Sequence, residues 1–271
     1  MSRSRKRPSM ADQADRHELY EASVQDPETE LEFVSDTFQA LSGRALRRIR
    51  EDFCGTANTA CAWVRQDADH EAIAVDLDRE VLGWGRRRHL AAMDEQQRGR
   101  LHMLEADVLT VETEPVDAVL AMNFSYYLFT SRQTLRAYFE RARSALVEDG
   151  ALFLDAFGGY DAHRELEERT EYDDFTYVWD QASFDPINHD MTCLIHFEFP
   201  DGSRIERAFE YHWRLWTLPE IRELLLEAGF ASVTVYWEGT DEETGEGDGN
   251  YTPADTGDAD AGWICYLVAR R

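Results

Sequence analysis

The fold of this chain is decided by the stretch Glu51-Asp52-Phe53-Cys54-Gly55-Thr56-Ala57-Asn58-Thr59. Its order predicts a strand, a tight turn of small residues and then a helix. At the end of the next predicted strand, Asp76 closes the apolar run at residues 72–75. Small residues let backbone N–H groups approach a ligand, and an acid at that strand end is placed to accept hydrogen bonds from ribose hydroxyls. The stretch therefore predicts a nucleoside-bearing cofactor across the carboxyl ends of a parallel sheet.

The turn alone does not identify the cofactor. As a dinucleotide fingerprint, Gly55-x-Ala57-x-x-Ala60 is degraded because two of its three glycines are replaced. An NAD-dependent oxidoreductase is thus one alternative, and an ordinary strand-to-helix turn is another. The stretch from Glu51 to Ala57 fits a different pattern better, since it resembles motif I of the class I S-adenosylmethionine-dependent methyltransferases. Phe53 and Ala57 replace family glycines, and a Phe at the first position also occurs in methyltransferases that act on amino groups.

The resemblance implies S-adenosyl-L-methionine as cofactor and S-adenosyl-L-homocysteine as product. In the family the motif I acid, here Glu51, lies near the methionine amino group, and Asp76 would bind the ribose. Asp107 would bond the adenine amino group, and the N–H of Val108 would face the ring. The complete implied cofactor-binding set is Tyr20, Glu51, Phe53, Cys54, Gly55, Thr56, Ala57, Asp76, Leu77, Asp107, Val108, Asn123 and Phe124.

The remaining apolar segments follow in the order that the family fold requires. The sequence predicts further strands and helices at 101–108, 116–123, about 131–147, 150–155, 218–228, 231–237 and 263–269. We therefore expect an α/β fold with a Rossmann-like, mostly parallel seven-stranded sheet, helices on both faces and an antiparallel last strand. Residues 239–262 predict an acidic, glycine-rich loop.

The chain divides by composition into four parts. Residues 1–15 predict a disordered basic tail, and residues 16–43 an N-terminal helical segment whose Tyr20 either closes over the cofactor or only packs. The core takes residues 44–157 and 217–271. Residues 158–216 are too long for a simple connection, and three segments in them alternate with period two. They predict an antiparallel β insertion, and the resemblance to small-molecule methyltransferases implies that it serves as a substrate lid or a homodimer contact.

Candidate substrate-positioning residues follow the fourth strand. Asn123-Phe124-Ser125-Tyr126 keeps the end residues of the Asn-Pro-Pro-Tyr motif of amino-group methyltransferases but lacks its prolines. Asn123, Tyr126 and Tyr127 either position the substrate or form a strand end with aromatic packing. His196 and His212, in the insertion, are further candidates as a general base, because the unperturbed pKa of histidine is about 6.5.

Charge and cysteine usage limit the partners. The chain carries 54 acidic and 28 basic residues, a net charge of −26. Such a surface repels phosphate backbones, which disfavours nucleic acid as substrate. We expect the acidity to be an adaptation to high salt, whereas the loss of lysine, with Lys6 as the single one, is equally consistent with biased genomic composition. No apolar run is long enough for a membrane span, and the four cysteines lack metal-site spacing, so we expect reduced thiols in a cytoplasmic protein and no metal.

Together these patterns predict a methyltransferase that acts on a small-molecule acceptor by in-line transfer, with nitrogen favoured over oxygen or carbon. The alternatives are a nucleic-acid amino-group methyltransferase, an NAD-dependent oxidoreductase and a cofactor-binding subunit without turnover.

Overall fold

The computed structural model describes residues 8–241 and 247–271. Its helices, in chain order, are α1 (Met10–Gln13), α2 (Arg16–Val24), α3 (Pro27–Ser42), α4 (Asn58–Gln66), α5 (Arg79–Arg88), α6 (Glu95–Gly99), α7 (Arg132–Ser144) and α8 (Leu218–Glu227). Its strands are β1 (Arg48–Asp52), β2 (Glu71–Asp76), β3 (Leu101–Glu105), β4 (Val116–Ala121), β5 (Leu146–Gly158), β6 (Leu166–Glu171), β7 (Thr176–Phe184), β8 (Asp190–Glu198), β9 (Arg204–Arg214), β10 (Ser232–Thr240), β11 (Gly247–Ala254) and β12 (Trp263–Arg270).

Among the residues that the structure describes, the main sheet has eight strands in the order β11-β10-β12-β5-β4-β1-β2-β3. Strands β1 to β5 run parallel, whereas β12 is antiparallel to both β5 and β10. All six residues of β4 are buried, as expected for a parallel strand covered on both faces. This arrangement confirms the predicted α/β sheet with its antiparallel last strand.

The eighth strand corrects the sequence-based expectation of seven strands. Residues 239–262 were expected to form a loop, but β11 lies inside this segment and pairs antiparallel with β10. Most of its side chains are exposed, so the strand lacks the apolar alternation that would reveal it in the sequence.

Two apolar layers cover the sheet, one on each face. One layer packs α7 and α8 against it, and the other packs α3 and α4. Capping residues define both ends of helix α3. At its start the Asp26 carboxylate accepts a hydrogen bond from the Thr29 N–H at 3.2 Å, and Pro27 occupies the first turn. At its end Gly43 adopts a φ of 75°. These caps set where α3 begins and ends, and the spacing of its buried residues Leu31, Val34 and Phe38 sets the face that meets the sheet.

Residues after β5 form a second sheet, in the order β6-β7-β8-β9, which we call the lid sheet. Its neighbouring strands are antiparallel. The sequence predicted three strands here, and the structure adds β6. Five of the six β6 residues are exposed, so no period-two apolar pattern marks it.

The N-terminal segment also differs from the expected tail. Residues 1–7, which hold all four basic residues of the expected tail at 1–15, lie outside the described residues. Residues 10–13 form α1 behind a Ser9 capping box, and the Met10 N–H donates to Asp201 at 2.8 Å. Asp201 lies in the turn between β8 and β9, so this part of the segment is fastened to the lid sheet. Within the described ranges, no helix combines the length and apolarity needed to cross a bilayer.

Candidate active site

A cavity of about 520 Å³ lies between the lid sheet, helix α2 and the carboxyl ends of β1, β2 and β4. The chain runs from β1 outward to β3 and then returns to β4 on the other side of β1. Ligands of open α/β sheets bind at such a switch point, outside the carboxyl ends of the strands. All members of the predicted cofactor-binding set except Ala57 and Phe124 line this cavity.

The turn after β1 holds its backbone in the left-handed region. Phe53, Gly55 and Ala57 have φ values of 57°, 54° and 61°, and a left-handed non-glycine residue costs about 1–3 kcal/mol. A Cβ added at Gly55 would meet no atom within 4 Å, whereas one at Gly85 of α5 would lie 2.1 Å from the Thr56 carbonyl oxygen. The turn is therefore open toward the cavity at Gly55 and tightly backed by α5.

Asp76 lies at the end of β2 and fixes this turn. One carboxylate oxygen accepts from the Gly55 N–H at 2.7 Å, and the other accepts from the Asp78 N–H at 2.8 Å. Burial raises the pKa of Asp76 above its usual range. Each oxygen keeps a further lone pair, so Asp76 can hold the turn and still accept from two ligand hydroxyls.

Glu51 lies at the end of β1 and is buried, 8% exposed. Its carboxylate accepts from the Ala60 N–H at 2.8 Å, in the first turn of α4. Burial, with smaller contributions from the negative charges of Asp76 and Asp52, raises the pKa of Glu51 to about 8. The inner end of the cavity is thus acidic and poorly hydrated, which favours a cationic ligand group.

Helix α2 covers the cavity from the N-terminal side. Its Glu21 accepts from the Thr56 hydroxyl at 2.5 Å and contacts Nε2 of His89 at 2.6 Å. We call this contact between α2 and the core the Glu21 latch. Tyr20 of the same helix lines the cavity, and its ring centroid lies 4.8 Å from that of Phe209 in the lid sheet. Helix α2 therefore joins the lid sheet to the turn after β1.

Asn123 also lines the cavity, just after β4. Its backbone N–H and that of Phe124 both donate to the Asp155 carboxylate, at 2.6 and 2.8 Å. Both residues have positive φ, 57° and 55°. Asp155, at the carboxyl-end half of β5, therefore fixes the turn that presents Asn123.

The structure does not bear out three of the predicted substrate-positioning or base residues. Tyr126 and Tyr127 are fully buried, and their hydroxyls donate to the carbonyls of Asp155 and Phe157 at 2.7 and 3.3 Å. His196 is buried, and its Nδ1 accepts from the Arg207 N–H at 3.0 Å. Arg207 lies at a register shift between β8 and β9 and has φ 50°.

Physical reasons exclude Tyr126 and Tyr127 from positioning the substrate and His196 from acting as a general base. The two tyrosines pair with backbone groups inside the core, and the histidine replaces a hydrogen bond that the register shift removes from the sheet. The other predicted histidine, His212, lines the cavity, and its side chain is 72% exposed.

The aromatic face of β9 is a part of the site that the sequence reasoning missed. Phe209, Tyr211 and Trp213 alternate along β9 and all line the cavity. Tyr211 and Trp213 stack with ring centroids 4.6 Å apart, and Phe209 lies 4.8 Å from the ring of Tyr20. The period-two pattern was visible in the sequence, but which face of the strand would meet the cavity was not.

Several solved structures share this fold. An S-adenosylmethionine-dependent methyltransferase from Clostridium acetobutylicum superposes with a TM-score of 0.67 at 16% identity, covering 93% of this chain and 96% of that one. The chain has the fold of the S-adenosylmethionine-dependent methyltransferases. An amino pentose methyltransferase from Micromonospora echinaspora, involved in calicheamicin biosynthesis, has this methyltransferase fold at a TM-score of 0.65 and 16% identity, with coverages of 94% and 95%.

A sugar N-methyltransferase from a Streptoalloteichus species shares the fold over the whole of this chain and 97% of its own, at a TM-score of 0.63 and 16% identity. No protein-family model and no curated protein matches the sequence. At these identities the likeness establishes the methyltransferase fold, and the chemistry must be argued from the cavity.

Proposed function

We propose that this protein transfers a methyl group from S-adenosyl-L-methionine to a small-molecule acceptor, with a nitrogen atom as the nucleophile. The observation that carries the proposal is the cavity at the switch point of the sheet. There the open turn at Gly55 lies against the Asp76 carboxylate, with Glu51 at the inner end.

The lining residues fit the cofactor. Asp76 has lone pairs left for the two ribose hydroxyls, and the backbone at Cys54 and Gly55 lines the cavity without a side chain at Gly55. The apolar side chain of Leu77 is 71% exposed at the cavity wall, where an adenine ring would cover it. Asp107 and Val108 also line the cavity, where they would contact the edge of the adenine ring. Ala57 and Phe124 act through the shape of their turns.

The bound cofactor supplies an electrophilic methyl group on a sulfonium. Because such a displacement needs the nucleophile in line, positioning can supply up to about 7–11 kcal/mol of the acceleration. The aromatic residues Phe209, Tyr211 and Trp213, which line the same cavity as Asn123, support a nitrogen acceptor. A cation above an aromatic ring gains about 0.5–2 kcal/mol, and the Asn123 side chain can accept a hydrogen bond from an amine. Sugar and glycopeptide N-methyltransferases among the proteins of similar fold also favour nitrogen.

A turnover assay tests this proposal. The purified protein would be incubated with S-adenosyl-L-methionine and a panel of amino sugars and other small amines, and S-adenosyl-L-homocysteine would be quantified. We expect S-adenosyl-L-homocysteine to form only when one class of acceptor is present. Separate titrations with NADH and an oligonucleotide complete the test. Binding of NADH in place of S-adenosyl-L-homocysteine would favour the oxidoreductase, and salt-sensitive retention of the oligonucleotide would favour a nucleic-acid enzyme.

We further propose that the protein works in a cytoplasm of high salt concentration. We also propose that the lid sheet forms a contact between two copies of the chain. The net charge of −26 and the four buried, free cysteines support the environment. At about 1 M salt the Debye length is about 3 Å, so repulsion among surface acids is screened. The melting temperature should rise from low to molar KCl, and a flat or falling curve would contradict the adaptation. Sedimentation at several protein concentrations tests the pairing.

A further inference from the structure

Strand β9 is an outer strand of the lid sheet, because its one neighbour in the described part of the chain is β8. Its residues from Phe209 to Trp213 all line the cavity. Successive side chains of a strand point to opposite faces of the sheet. Five consecutive residues therefore border one cavity where the cavity meets the edge of the strand, so the backbone of β9 forms part of the cavity wall.

The hydrogen-bond register shows which backbone groups of β9 face this cavity. The Leu215 N–H donates to the His189 carbonyl at 2.9 Å, and this pair continues the alignment of β8 and β9. In an antiparallel ladder, residues that bond to the partner strand alternate with residues whose backbone groups face away. Since the alignment is unbroken from residue 209 onward, the odd-numbered residues bond to β8. The N–H and C=O groups of Glu210 and His212 therefore face the free edge.

Two further contacts agree with this alternation. The Asp185 N–H donates to the Asp190 carbonyl at 2.8 Å, so Asp190, which is aligned with Arg214, directs its carbonyl toward the β7 side and not toward β9. The guanidinium group of Arg16, in α2, donates to the Ala208 carbonyl at 3.2 Å, so this even-numbered residue also faces outward. Arg16 thus occupies the edge at Ala208, and the open part of the edge begins at the next outward residue.

The open edge at Glu210 and His212 offers one donor and one acceptor at each residue. In the part of the chain that the structure describes, no backbone group outside the lid sheet bonds to them. Water can satisfy these groups in an open cavity, but a ligand that fills the cavity displaces it. A ligand without matching groups would leave them unpaired, which lowers its affinity about 5- to 150-fold for each group. The edge therefore selects a ligand with alternating donors and acceptors of its own.

An extended peptide segment has this pattern, because its N–H and C=O groups recur with the spacing of a strand, and such a segment can add to a free strand edge. We propose that the methyl acceptor is an amine that carries a peptide segment, whose backbone pairs with Glu210 and His212. This inference rests on the proposed function and names the substrate class of its acceptor site. An amino sugar, which has hydroxyl groups in place of amides, is the competing class in the test.

The ligand side of the pairing is tested by calorimetric titration of the wild-type protein saturated with S-adenosyl-L-homocysteine. The matched probes are L-alanyl-L-alaninamide and its ester analogue O-(L-alanyl)-L-lactamide, in which an oxygen replaces the peptide N–H, and glucosamine is the third probe. We expect the amide to bind about 5- to 150-fold more tightly than the ester, because the ester leaves a strand carbonyl without its donor. Equal affinities, tighter binding of glucosamine, or no measurable binding of the dipeptide amide would overturn the inference.

The protein side is tested with His212→Pro, which removes the outward N–H and keeps every bond of the β8–β9 ladder. Proline is tolerated in an edge strand where the missing N–H faces away from the sheet. His212→Ala is the matched control, since both variants lack the imidazole and only His212→Pro lacks the N–H. In each variant the affinity for L-alanyl-L-alaninamide is divided by that for propylamine, which has no amide. We expect this ratio to be about 5- to 150-fold lower in His212→Pro, and equal ratios would contradict the pairing.

Thermal melting checks that His212→Pro folds. If it does not fold, the comparison of amide and ester on the wild type decides the question alone. Equal binding of amide and ester by a protein that binds S-adenosyl-L-homocysteine would overturn the acceptor class and leave the proposed function standing. Failure of the wild type to bind S-adenosyl-L-homocysteine would instead overturn the proposed function itself.

Discussion

Replacing Glu51 by Gln should stabilise the ligand-free protein at alkaline pH. The pKa of Glu51 rises from 4.5 to about 8 in the fold, chiefly through burial. A carboxyl group whose pKa is raised by folding adds stability below its unfolded pKa, and this stability is lost as pH rises toward the folded pKa. The glutamine stays neutral throughout and can still accept from the Ala60 N–H. The free energy of unfolding of Glu51→Gln should therefore increase relative to that of the wild type as the pH rises.

The size of this gain in stability follows from the size of the pKa shift of Glu51. One pKa unit corresponds to about 1.4 kcal/mol, and most of the shift is expressed between pH 5 and pH 8. Because neighbouring acids share the effect, we expect the stability difference between Glu51→Gln and wild type to grow by about 2–4 kcal/mol over that interval. For a chain of this size each kcal/mol moves the melting temperature by about 2–4 °C.

Scanning calorimetry of the ligand-free protein at pH 5 and pH 8 measures this difference, with the exposed-site variant Glu32→Gln as control. We expect the melting temperature of Glu51→Gln to gain about 5–10 °C on wild type between the two pH values, and that of the control to follow wild type. If Glu51→Gln also follows wild type, Glu51 is ionised in the fold at little cost, and our reading of the inner cavity is wrong.

Three further predictions concern the cofactor, the latch and the acceptor. Asp76→Ala should weaken S-adenosyl-L-homocysteine by about 1–3 kcal/mol in calorimetric titration, since a pair of hydrogen bonds to a charged group is lost; unchanged affinity would reject its ribose role. Glu21→Ala should weaken the same ligand about 5- to 20-fold and speed proteolysis within α2, because one hydrogen bond of about 1–2 kcal/mol holds the helix to Thr56; identical digestion patterns would show that the latch does not hold α2. Trp213→Leu should raise the KM of an amine acceptor about 2- to 30-fold without changing cofactor affinity, because a cation–aromatic contact is removed; an unchanged KM would place the acceptor away from β9.

The sheet was predictable because its strands carry their signal in the sequence. The fully buried β4 is apolar from Ala118 to Ala121, Asp76 ends the apolar run of β2, and Asn123 closely follows β4. Their position at one edge of the sheet therefore follows from the parallel order of the strands. Strands β6 and β11 and helix α1 were missed because their residues are largely exposed, and exposed segments lack the apolar periodicity that predicts an element.

The directions in which the side chains of the site point were harder to predict from the sequence. Tyr126 and Tyr127 follow the cavity residue Asn123 closely in sequence, yet the turn that Asp155 fixes directs both rings into the core. Such placements depend on tertiary packing between elements, which local sequence patterns do not encode.

A crystal structure of the protein with S-adenosyl-L-homocysteine tests the central claim most directly. We expect the adenosyl group in the cavity beside Gly55, with both ribose hydroxyls within hydrogen-bond distance of the Asp76 carboxylate and the adenine ring against Leu77. A ligand bound elsewhere, or a cavity without ligand at saturating concentration, would contradict the proposed methyltransferase site.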